Sequence, residues 1–116
     1  MIIELADFDA IKDDALRKFE ERVSSAMDNR DQLELEAFRL ESQLEQLYSF
    51  TAAAARREDD MGATAQLWEH LVTTCDLFAN RLLQLSKDHS IATTAHDHIL
   101  DIRSAAEELR ALHGPA

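Results

Sequence analysis

The sequence predicts an all-α protein, an up-down bundle of four helices, and three observations carry that expectation. Glycine and proline are nearly absent, with only Gly62, Gly114 and Pro115 in 116 residues, whereas a β-rich chain of this length needs many such turns. Alanine, leucine, glutamate, glutamine and arginine dominate, and these are the strong helix formers. Apolar residues recur every three or four positions along most of the chain, and 46% hydrophobic residues suffice to fold one core. The length fits one domain over residues 1–116.

The first helix is expected to start near Asp7 or Asp9, both capping residue types. Leu5, Phe8, Ala15, Leu16, Phe19, Val23, Ala26 and Met27 share one face at 100° per residue. Lys12 interrupts that face and is expected to extend its ammonium outward.

The second helix carries the cleanest pattern. Leu33, Ala37, Leu40, Leu44, Leu47, Thr51 and Ala54 alternate in steps of four and three. That is a heptad seam, the signature of left-handed coiled-coil or bundle packing. Arg56 and Arg57 sit in its last turn, where cations suit the helix dipole.

Two readings of the junction stand. Asp28-Asn29-Arg30-Asp31 is poor helix material, and Asp31 with Glu34 has capping-box spacing, which favours a turn. Yet the seam of Leu16, Phe19, Val23 and Ala26 continues in phase to Leu33. An unbroken helix of about 50 residues, roughly 75 Å long, would follow, with two shorter helices beside it in a dimeric coiled-coil-like bundle.

The second break is at Glu58-Asp59-Asp60-Met61-Gly62, where acids suit the start of a third helix. Leu67, Trp68, Leu71, Val72, Cys75, Phe78, Ala79, Leu82, Leu83 and Leu85 follow. They cover an arc of about 160°, broad enough to meet more than one neighbour. A third break falls at Lys87-Asp88-His89-Ser90, with Ser90 or Thr94 as cap of the fourth helix. Its face is Ala92, Ala95, Ile99, Ile102, Ala106 and Leu109, and Gly114-Pro115 is a stop signal.

Charge and missing motifs narrow the function. The formal charge of −11 repels phosphates and anionic headgroups, so no nucleic acid and no membrane partner is expected. No apolar run approaches the ~18 residues of a membrane span. Met1 to Leu5 has no basic segment followed by a long apolar one, and Cys75 is the single cysteine. A cytoplasmic protein without a signal peptide is therefore the expectation. Two isolated glycines make no phosphate loop. The positions three before each histidine are Leu67, Ser86, Thr93, Ala95 and Arg110, so no Glu-x-x-His di-metal pair exists. No cofactor, small-molecule substrate or catalytic residue is expected.

Two constellations remain. His70, His96, Asp97, His98 and Asp101 offer metal-ligand chemistry, which gives the alternative reading of a metal-binding bundle. Helix geometry sets His96 and His98 about 200° apart, so they cannot share an ion on one face. His70 followed 26 residues later by His96-Asp97 resembles the first half of the HD phosphohydrolase metal motif. The chain beyond Asp97 is too short for that family's remaining helices and final Asp, so its activity is not carried over.

The other constellation is Leu35 with Phe38. They lie at about 220° and 160° from Leu40, among Asp31, Glu34, Ser42 and Glu45. Two large apolar groups on a charged face suggest a contact with a protein partner, with a second copy in a homodimer, or with another helix of the same bundle. The expected function is a non-enzymatic interaction module, such as an adaptor, a small chaperone or a regulatory or scaffold protein. In size and charge the chain is similar to the small helical chaperones of flagellar export, a likeness of shape with no shared motif.

Overall fold

A computed structural model describes residues 5–26, 29–57, 61–91 and 93–113. The expectations for Met27, Asp28, Glu58, Asp59, Asp60, Ala92, Gly114 and Pro115 fall outside them, as does the side chain of Leu5. Among the described residues there are four α-helices and no strand: α1 (Leu5–Ala26), α2 (Arg30–Arg57), α3 (Met61–His89) and α4 (Thr94–His113). They form a compact, flattened body of 49 × 24 × 15 Å. Among the described residues no helix is long and apolar enough to cross a membrane.

α1 begins earlier than expected. Asp7 is an acid of its first turn rather than a residue ahead of it, a position the helix dipole favours. Phe8, Ala15 and Phe19 are buried, and Ile11, Leu16, Val23 and Ala26 pack against them at the margin. The Lys12 side chain is 21% exposed, and its ammonium lies 3.2 Å from Asp9 and 3.7 Å from Asp13.

α2 is a separate helix, and its cap is Asn29 rather than Asp31. The Asn29 side-chain oxygen accepts the Gln32 N–H at 3.1 Å, and its carbonyl accepts the Leu33 N–H at 3.0 Å. The first bond satisfies an amide left unpaired at a helix start, and the second is the first bond of the helix itself. Asp31 falls inside the first turn, where its charge still suits the dipole. All seven seam residues, from Leu33 to Ala54, are buried. Thr51 fits the seam because its hydroxyl donates to the Leu47 carbonyl at 2.8 Å.

α3 supplies the widest apolar face. Leu67, Trp68, Leu71, Val72, Cys75, Phe78, Ala79, Leu82 and Leu85 are buried, and Leu83, at the edge of the arc, is exposed. Trp68 packs edge-on against Tyr48 with ring centroids 5.5 Å apart.

Ser90 ends α3 rather than capping α4. It adopts a left-handed φ of 53°. The Ile91 N–H then bonds back to the Ser86 carbonyl at 3.2 Å, and Ile91 is buried. This is the six-to-one bond of a Schellman ending, with an apolar residue just beyond the left-handed one. The Ser86 hydroxyl donates to the Ile91 carbonyl, and Arg30 donates to the Ser90 carbonyl at 3.2 Å, tying the turn to the start of α2. α4 then opens at Thr94, with Ala95, Ile99 and Ala106 buried.

The packing is uneven. α2 touches all three other helices, and α3 and α4 form the most extensive pair. α1 lies on α2 and meets α3 only along a narrow line. Among the described residues α1 and α4 do not meet. The outer side of α2 is therefore left between them, and that is where Leu35 and Phe38 stand.

Candidate functional site

The buried seam fixes the rotation of α2. With Leu33, Ala37, Leu40 and Leu44 turned inward, Leu35 and Phe38 must turn outward. They are 43% and 45% exposed. Phe38 is a ridge between two grooves. On one side it borders, with Leu35, a groove of about 430 Å³ floored by Ala15, Phe19, Leu40 and Glu36 of α1 and α2. On the other it borders a groove of about 170 Å³ between α2 and α4, lined by Glu34, Ala37, Thr93, Thr94 and Ala95.

The two flanks differ in charge. The α1 side holds Lys18, Arg22 and Arg39 against the carboxylates Asp14 and Glu36. The α4 side holds Glu34 beside Phe38 and, further along, Glu45 and Asp101 in a groove with Tyr48, Ser49, Ile102 and Ala105. Neither of those two grooves has a lysine or arginine in its lining.

Buried carboxylates stiffen both flanks. Glu36 is only 1% exposed. It accepts from Gln32 Nε2 at 2.6 Å and Arg39 Nη1 at 2.8 Å, with Arg22 Nη1 at 3.8 Å. Two hydrogen-bond donors and the nearby Arg22 charge match the demand of a desolvated carboxylate. Glu41 is also buried, facing α4, with His98 Nδ1 3.4 Å away. Burial, and then the neighbouring Glu45 carboxyl, push the Glu41 pKa above the ordinary glutamate value, with His98 opposing the shift. Heptad periodicity singles out neither residue. Their burial comes from α1 and α4 closing over polar positions beside the seam.

The histidines and aspartates of the metal-ligand constellation are dispersed. His70 faces α1, where Nε2 lies 2.5 Å from Asp9 Oδ1 and the ring stands edge-on to Phe8 at 5.1 Å. It is half-buried there. His96 Nδ1 lies 3.5 Å from its neighbour Asp97. His98 turns to Glu41, while Asp97 and Asp101 are exposed. Among the described residues no three of His, Cys, Asp and Glu are grouped to hold a metal ion.

Of the two sequence constellations, the structure thus brings together Leu35 and Phe38, over a built groove, and separates the histidines. No protein-family model, curated protein or solved structure shows a significant match to this chain.

Proposed function

We propose that this chain is a non-enzymatic protein–protein interaction module, an adaptor, small chaperone or regulatory subunit, that works through helix-face packing with Leu35 and Phe38 as its contact residues. One observation carries the reading: two large exposed apolar side chains share an open groove on the side of α2 that neither α1 nor α4 covers. Such a ridge, rimmed by charge, is the common form of a docking surface. The test is capture of partners by the intact chain and by a Leu35→Glu/Phe38→Glu variant of unchanged helix content. Capture lost in the variant is the expected result, and equal capture would sink the surface.

The same reading takes the helices as alternating up and down. Asp9–His70 and Glu20–Arg81 link positions the same 61 residues apart, which supports a parallel course of α1 and α3. Arg22 pairs with Glu36 while Ala15 shares a groove with Ser42, which supports an opposed course of α1 and α2. Spin labels at Ala10 and Glu69 should then lie much closer than labels at Ala10 and Lys87, which are displaced by roughly 25 Å along α3. The reverse order would overturn the alternation.

A further inference from the structure

The exposed face of α2 has a symmetry that selects its occupant, granted that Leu35 and Phe38 form a docking surface at all. The apolar ridge lies between a flank where three cations, Lys18, Arg22 and Arg39, outnumber the two carboxylates Asp14 and Glu36, and a flank lined by the acids Glu34, Glu45 and Asp101 with Arg30 at its end. A partner helix carrying charge of one sign satisfies one flank and is repelled by the other. A partner with the same bipolar face satisfies both.

We infer that the occupant is a second copy of this chain, docked ridge to ridge about a two-fold axis parallel to α2, with each copy's cationic flank on its mate's acidic flank. The rotation decides the orientation. A two-fold parallel to α2 exchanges left and right, so unlike flanks meet and Leu35 and Phe38 face their own counterparts. A two-fold across α2 would set cation on cation and acid on acid. The interface is isologous, so every favourable pair occurs twice. Local matching is also what the overall charge requires, since two chains of −11 repel at long range. The arrangement covers the side of α2 that is open because α1 and α4 do not meet.

The experiment is solution mass by sedimentation equilibrium on the intact chain and its charge variants. The intact chain is expected at twice 13.1 kDa at tens of micromolar. Leu35→Glu/Phe38→Glu, with helix content unchanged, is expected at the single-chain mass. Phe50→Glu, an exposed aromatic away from these grooves, keeps the dimer. Lys18→Glu alone and Glu45→Lys alone should each weaken self-association about tenfold, because each places like charges together twice. Mixing the two variants should restore a heterodimer, since both flanks of the mixed pair are again of opposite charge. A monomeric intact chain at 200 μM overturns the inference and leaves the interaction reading to its capture test. A dimer indifferent to Leu35→Glu/Phe38→Glu likewise overturns the inference and leaves the interaction reading to its capture test. A dimer that the mixture fails to restore overturns the two-fold parallel to α2.

Discussion

Glu36 lies within 2.8 Å of the Arg39 guanidinium in a place where water does not reach it. The pair joins two roles. It compensates a buried charge between α1 and α2, and it fixes the cation that rims the groove beside Leu35. Arg39 and Arg22 are each about half exposed, so they keep contact with solvent while their tips face inward.

Glu36→Ala is expected to destabilise the fold by about 2 kcal/mol, because it strands Gln32 and removes the anion that orders two arginines. Glu36→Gln should cost less, since the amide oxygen still accepts from Arg39. Urea unfolding of the two variants checks the order. A Glu36→Ala protein as stable as the parent would mean that the carboxylate contributes nothing net.

Much of this arrangement is readable from residue order. The α2 seam names seven core residues, and all seven are buried, because a strict four-three alternation leaves one helix rotation that hides them. The same rotation exposes Leu35 and Phe38. What periodicity misses is set by neighbours. Glu36, Glu41 and Thr74 are buried because other helices close over them, and no local pattern marks a carboxylate that will find Arg22 or His98 across a helix gap. The cap of α2 turns on a competition between Asn29 and Asp31 that differ little as capping residues, and the hydrogen bond of Asn29 to Gln32 decides it. Ser90 reads as an N-cap by type and acts instead as a left-handed terminator, since the chain must turn sharply between α3 and α4.

That turn gives a second prediction. Ser90 in the left-handed region costs about 1–2 kcal/mol relative to the right-handed one, a penalty glycine does not have. Ser90→Gly relieves it and loses about 0.5–1 kcal/mol through the freer unfolded chain. A net gain of about 0.5 kcal/mol is expected, read as a small rise in Tm. A fall in Tm would show that Ser90 contributes a contact beyond its backbone shape.

Asp9 and His70 give a pH-dependent contact between α1 and α3. The hydrogen bond from His70, followed by that from Lys12, holds the Asp9 carboxyl below the ordinary aspartate value. A depressed folded pKa stabilises the fold above the unfolded value, and that contribution is lost as pH falls through the folded value. His70→Ala should move the Asp9 titration upward, measured by carboxyl carbon NMR, and remove part of the acid-side loss. An unmoved Asp9 titration would assign the shift to Lys12 alone.

Glu41 has the opposite sign. Its folded pKa is raised by burial and by Glu45. Its contribution is fully present below the unfolded value and is lost as pH rises through the folded value. Glu41→Gln should therefore raise Tm at pH 7 and leave it nearly unchanged at pH 4. A lower Tm at pH 7 would mean that the contact with His98 outweighs the cost of burying the charge.

Cys75 tests the core in which all these contacts are anchored. It is fully buried on α3, and burial, with Asp76 adding and Arg103 opposing, pushes its thiol up to about 12. The thiolate is the reactive species, so at pH 8 only about one thiol in ten thousand is in reactive form. Access is closed as well, since alkylation needs α3 to expose its innermost face. Iodoacetamide should therefore modify the native protein at least 100-fold more slowly than the urea-unfolded chain. Its rate should rise with denaturant in step with loss of helix, because the same opening exposes Cys75 and melts α3. Fast labelling of the native protein would show that α3 opens locally. The rotation of α2 against it, and with it the outward setting of Leu35 and Phe38, would then be one of several states.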